Sequence, residues 1–145
     1  MLLAVPKKYM MLQKAEKREG EKYPWMDISM MPNEFIIQDN SCYVRQEIDQ
    51  IFEEYGKKLK PKMIVNSSML AMQTLERGMG FCFISEVFLP YITNTKDIDF
   101  FCIGKNKVKK TKTGIIYLKN KILSRQEKYC ISVLKEKIIN GEIGA

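Results

Sequence analysis

Two short polar runs carry the side chains most able to do chemistry, Asn40-Ser41-Cys42-Tyr43 and Asn66-Ser67-Ser68. The first follows the apolar run Phe35-Ile36-Ile37 and the second follows Met63-Ile64-Val65; each then opens onto a helical pattern. Residues so placed sit where the unsatisfied amides of a helix N-terminus point outward. Short hydroxyl and amide side chains added to those amides make a site for a carboxylate, a sulfate or another small anion. Val44, in the first helical turn, is placed to face such a ligand as an apolar wall. The same residues also have a plainer use: Asn40, Ser41, Asn66 and Ser67 are preferred N-cap types, and capping needs no ligand.

Catalysis has little to build on. The sequence contains no histidine, which removes the usual general base, the Ser-His and Cys-His nucleophile pairs and the common Cys/His zinc sites together. Ser41 and Ser67 therefore lack a base to activate them. Arg45 either reaches the cleft or pairs with Glu47 or Asp49, and the acidic residues of that helix fall mainly opposite its apolar stripe, away from any paired-carboxylate geometry. The four cysteines, Cys42, Cys82, Cys102 and Cys130, are irregularly spaced and lie in or beside apolar runs, so they read as small buried hydrophobes rather than metal or redox pairs. The expectation is a binding protein with no catalytic residue, metal or cofactor.

The net charge of +7 comes largely from Lys57, Lys58, Lys60 and Lys62 and from Lys105, Lys107, Lys109, Lys110 and Lys112. Such a balance raises nucleic-acid binding as a reading. Neither run interleaves with aromatics that would stack on bases, and both fall between periodic segments where solvated loops belong. No run approaches the roughly 20 apolar residues that span a bilayer, and the opening Met1-Leu2-Leu3-Ala4-Val5 meets Pro6-Lys7-Lys8 without the apolar region of a signal peptide. A cytoplasmic, non-membrane chain is expected.

The elements that must position the polar runs alternate. Met1-Leu2-Leu3-Ala4-Val5, Phe35-Ile36-Ile37, Met63-Ile64-Val65 and Phe81-Cys82-Phe83-Ile84 are short apolar runs of strand type. Val44, Ile48, Ile51, Phe52 and Tyr55 recur at the spacing of one helical face, with Asn40 or Ser41 as N-cap and Gly56 as terminator. A second helix turns Leu70, Ala71, Thr74 and Leu75 inward and closes at Gly78. Strand, helix, strand, helix, strand implies a parallel sheet with right-handed crossovers. Trp25 packs on the core near a short turn between Pro24 and Pro32, and residues 14–22 form an exposed helix fragment or loop. Residues 85–91 form a short helix broken by Pro90, and residues 99–103 and 114–118 form two more strands. A final helix opens with Ser124 and Glu127 in capping-box register and buries Cys130, Ile131, Leu134 and Ile138 before Asn140-Gly141.

The ordered set Phe35-Ile36-Ile37, Arg45, Ile48-Asp49-Gln50-Ile51-Phe52, Gly56, a lysine-rich turn, Val65-Asn66-Ser67-Ser68 and Leu75-Glu76-Arg77-Gly78-Met79-Gly80-Phe81-Cys82-Phe83-Ile84 resembles the effector-binding domain of LysR-type transcriptional regulators. Tyr117-Leu118-Lys119, Leu123-Ser124 and the last helix extend the resemblance over nearly the whole chain. Family members usually carry proline where this chain has Ser85, a departure that bears on the local crossover geometry.

The resemblance implies an α/β, parallel-sheet-centred lobe of periplasmic-binding-protein type, with residues 11–98 as a complete second lobe and residues 1–10 and 99–145 as the back of a first. It places Asn40, Ser41, Cys42, Tyr43, Val44, Asn66, Ser67 and Ser68 at the effector contacts. The family's N-terminal winged helix-turn-helix and the first strands of its effector domain have no counterpart in these residues, so DNA would be met only through that missing segment. Partners implied are a small metabolite effector, anionic or neutral, and a second copy of the chain, as a dimer or swapped assembly. Competing readings are a solute-binding protein of the same fold, which predicts an export signal, a basic nucleic-acid-binding protein, and a carboxylate-dependent enzyme.

Overall fold

A computed structural model describes residues 1–104 and 114–139, and the chain divides into two compact units, Met1–Lys109 and Lys110–Ala145. The first unit is built on one five-stranded mixed sheet of order β3-β2-β4-β1-β5, comprising β1 (Leu2–Pro6), β2 (Phe35–Gln38), β3 (Met63–Val65), β4 (Phe81–Ile84) and β5 (Ile98–Phe101). At its centre β2 runs parallel to both β3 and β4, as the alternation of strands and helices requires, because strands joined through a helical crossover come out parallel. β1 pairs antiparallel with both β4 and β5.

Strand alternation divides the core. Leu3, Val5, Phe35, Ile37, Phe81, Phe83 and Phe101 point to one face, where helix α1 (Tyr43–Glu54) adds Ile48 and Phe52. Phe35 is stacked on Phe83 at 5.7 Å between centroids and meets Phe52 edge-on at 5.2 Å. Leu2, Ala4, Ile36, Val65, Cys82 and Ile84 point to the other face, where helix α2 (Ser68–Glu76) adds Ala71, Met72 and Leu75. The connection leaving β2 thus goes to one face and the connection leaving β3 to the other. Neighbouring strands whose exits diverge in this way open a crevice at their carboxyl ends.

Local chemistry explains the remaining punctuation. Gly56 and Gly78 follow the two helices at positive φ, the left-handed conformation in which glycine is the easy choice. Gly80 answers a different need: a Cβ there would run into the carbonyl oxygen of Glu34, which accepts the Phe81 amide at 2.9 Å. Ser85 adopts φ −75 and ψ 142, the backbone that proline would impose, so its replacement leaves the crossover intact. A 3-10 turn over Glu86–Tyr91 follows and contains Pro90. Trp25 is buried and carries the Arg18 guanidinium 4.3 Å above its ring.

Several expectations require correction. Leu70 is 41% exposed, because the buried face of α2 is Ala71, Met72, Thr74 and Leu75, and Leu70 lies one residue outside that stripe. Cys82 and Cys102 are buried as expected, but Cys42 is half-buried at the start of α1 and Cys130 is exposed. Residues 114–118 form no strand, and Ile116 and Leu118 are 96% and 77% exposed. Apolar composition alone cannot make a strand; a neighbour must take its backbone hydrogen bonds, and among the described residues none pairs with this segment.

The second unit contains α3 (Arg125–Ile139), opened by a reciprocal capping box in which Ser124 N–H donates to Glu127 and Glu127 N–H donates to Ser124 Oγ. Lys121, then Ser124, hold the Glu127 carboxyl down to about 2. Ile131 and Leu134 are only half-buried, while Ile138, Asn140 and the second lysine run lie outside the residues whose side chains are described.

Candidate functional site

Because β2 and β3 are adjacent and parallel, with Gln38 opposite Val65, the turns that follow them emerge from the same edge of the sheet. The Asp39 N–H donates to the Val65 carbonyl at 2.9 Å, tying the two exits together. The polar runs singled out from the sequence therefore share one rim.

They are built differently. In the first turn Asp39 accepts from the Ser41 N–H at 2.9 Å and also from the Ser41 hydroxyl. These bonds, led by the hydroxyl, hold the Asp39 carboxyl below its ordinary value, so it is ionised at neutral pH. Neither Asn40 nor Ser41 caps α1; the N-cap is Cys42, without a side-chain cap bond. The expected cap is displaced because Asp39 captures Ser41 locally and the turn continues one residue further before the helix begins. Tyr43 and Val44 donate their amides to no acceptor among the described residues.

In the second turn Ser67 is the N-cap of α2, and its hydroxyl accepts from the Leu70 N–H at 3.2 Å. The amides of Ser68 and Met69 have no acceptor among the described residues. No acidic side chain occurs in Asn66-Ser67-Ser68 or in the first turn of α2. Asn66 is exposed, and Ser67 and Ser68 are half-buried.

Val44 packs against the core beneath α1. The exposed apolar side chains at this rim are instead Tyr43 and Met69, 63% and 54% exposed, each at or next to the first residue of its helix. Arg45 grips both oxygens of Asp49 at 2.9 and 3.0 Å and also donates to the Gln38 carbonyl at 3.3 Å. Its pairing follows the i,i+4 spacing visible in the sequence.

One residue escaped sequence reading. Gln38 closes β2, and it is fully buried with neither amide atom hydrogen-bonded. The available signal was a polar residue continuing an apolar strand run at its carboxyl end.

Among the described residues no three Cys, Asp or Glu side chains cluster as metal ligands, and no described helix is long and apolar enough to cross a membrane. Lys57 donates to the Ser29 carbonyl at 2.6 Å and Lys62 pairs with Glu34, so part of the first lysine run is taken up in local contacts.

No protein-family model matches the sequence, and no curated protein matches it. Solved structures do. The effector-binding domain of QuiR, determined in complex with shikimate, superposes with a TM-score of 0.59 at 14% identity, covering 90% of this chain and 57% of that one. HinK, a LysR family transcriptional regulator from Pseudomonas aeruginosa, gives a TM-score of 0.56 at 13% identity, covering 94% of this chain and 44% of HinK. The chain thus spans little more than half of the first structure and less than half of the second. Its fold is that of the LysR-type effector-binding domains, α/β and periplasmic-binding-protein-like.

Proposed function

We propose that this chain is the effector-sensing part of a LysR-type transcriptional regulator and binds a small anionic metabolite at the rim formed by Asn40, Ser41, Cys42 and Tyr43 with Asn66, Ser67 and Ser68. The observation that carries the reading is the shared rim: two polar turns lead into two helices whose first amides are free. Free amides and the positive helix end favour an anion without reorganisation.

The two turns are not equivalent for that purpose. Ionised Asp39 opposes a negative group at the first, whereas the second has no acid, so the anionic end of the ligand belongs at α2. Tyr43 and Met69 flank the rim as apolar walls for the rest of the ligand. This replaces Val44 in that role.

In this reading the five-stranded sheet, with β1 and β5 paired into it beside β4, is the core of one of two lobes, rather than β1 and β5 belonging to the back of the other. A ligand touching both favours one lobe orientation, and the attached winged helix-turn-helix dimer responds. The chain acts in the cytoplasm, is not an enzyme, and pairs with a second copy. A thermal-shift screen of small anionic metabolites tests the proposal, since a ligand that binds only the folded state must stabilise it. Stabilisation that is lost when Ser67 and Ser68 are both replaced by proline-free, hydroxyl-free residues supports it. A screen in which no metabolite shifts the transition sinks it.

A further inference from the structure

Gly114-Ile115-Ile116-Tyr117-Leu118 has the composition of a strand and forms none. Ile116 and Leu118, which share one side of an extended chain, are 96% and 77% exposed. Among the described residues the backbone of this segment engages only through the Leu118 carbonyl, which accepts from the Lys121 N–H at 3.0 Å and turns the chain after it. An apolar run with open backbone donors and acceptors is one half of a β-ladder, and it needs a sheet edge to complete it.

The five-stranded sheet ends in two edges, β3 and β5. β3 follows Lys57, Lys58, Lys60 and Lys62, and basic residues beside an edge repel a segment that itself leads into Lys119 and Lys121. β5 has the opposite charge, with Asp97 exposed at its entry and Asp99 half-buried within it. Trp25 occupies the outer side of this edge at Cys102 alone: Cys102 N–H donates to the Pro24 carbonyl at 2.8 Å, and its own carbonyl accepts from Met26 N–H at 2.9 Å. Backbone groups alternate along a strand, so the Phe100 N–H and carbonyl point to the same outer side as those of Cys102. No described residue takes them. The Ile98 N–H is used by the Thr95 carbonyl, while the Ile98 carbonyl stays open.

We propose that residues 115–118 of one copy add as an antiparallel strand to the β5 edge of a second copy, reciprocally about a two-fold axis. Ile116 then exchanges both backbone bonds with Phe100, Leu118 lies opposite Ile98, and Lys119 lies opposite Asp97. In that register the exposed Ile116 and Leu118 extend the apolar face to which Ile98 and Phe100 belong, and opposite charges meet across the strands. A parallel strand would instead carry the lysines towards Cys102, where Trp25 already holds the edge. Reciprocal exchange closes the assembly at two copies. The inference goes beyond the effector reading, since it says where the copies meet and is independent of what the rim binds.

Sedimentation equilibrium of the full chain tests it. The wild type is expected to dimerise, and Ile116→Pro should weaken dimerisation about tenfold or more, because proline removes the amide that the ladder uses. Its near-ultraviolet spectrum, which reports the buried Trp25, should be unchanged. Lys119→Glu and Asp97→Lys should each weaken self-association about tenfold by setting like charges opposite one another. Mixing these two variants should restore dimers of wild-type affinity, because both reciprocal contacts then join opposite charges. A wild type that stays monomeric at millimolar concentration overturns the proposal. So does a dimer indifferent to Ile116→Pro, which would place the pairing on another face. If mixing restores nothing, the segment does not cross between copies and the proposal fails. None of these outcomes bears on the metabolite screen, which judges the effector reading separately.

Discussion

The two turns at the rim look alike in sequence and are opposites in structure. Ser41 spends its hydrogen bonds on Asp39 and leaves α1 uncapped by any side chain, whereas Ser67 caps α2 and has no acid beside it. A polar turn before a helix is therefore not one kind of object. What decides its use is whether a neighbouring carboxylate reaches the donors before the helix or a ligand does.

The largest test of this contrast removes what both turns stand on. Phe35 is fully buried against Phe52, Phe81 and Phe83, and Phe35→Ala should cost about 3–5 kcal/mol. Urea unfolding would register it as a shift of midpoint, with both turns lost together. Gly80→Ala should cost about 1–3 kcal/mol by forcing β4 off Glu34. If hydrogen exchange shows β2 and β3 still protected in that variant, the rim depends on their pairing alone.

The contrast itself is sharpened by paired cap variants. Ser67→Ala should lower stability by about 1 kcal/mol, whereas Ser41→Ala, which caps nothing, should stay within about 0.5 kcal/mol of wild type. Equal losses would mean that the two turns do the same work after all.

The smallest effect concerns protons. The Asp39 carboxyl is depressed in the folded protein, first by the Ser41 hydroxyl. Its contribution to stability is therefore present above the ordinary carboxylate value and is lost as pH falls through the depressed one. Carboxyl NMR titration should give Asp39 a midpoint below that of an unperturbed aspartate, and Ser41→Ala should move it upward. A midpoint unmoved by that substitution would detach Asp39 from the turn.

Much of this architecture was legible beforehand because it depends on short-range pattern. Apolar triplets bounded by polar turns gave β2, β3 and β4; the Val44, Ile48, Ile51, Phe52 spacing gave α1; and Ser124 with Glu127 gave the capping box of α3. The N-cap of α1 was misplaced because competition between Asp39 and the helix for Ser41 is settled by a dihedral choice that residue types leave open. Residues 114–118 were misread because strand-like composition does not create a hydrogen-bonding neighbour.

Sequence alone determined that the chain has no histidine-based chemistry, that its central strands run parallel, and that two polar turns precede two helices, since these follow from residue identity and periodicity. Only the tertiary structure decided that those turns share an edge, that Asp39 sets them apart, and that Gln38 is sealed beneath α2 with its amide unpaired. Burial and pairing depend on which strands become neighbours, and that is a property of the folded chain rather than of any local stretch of it.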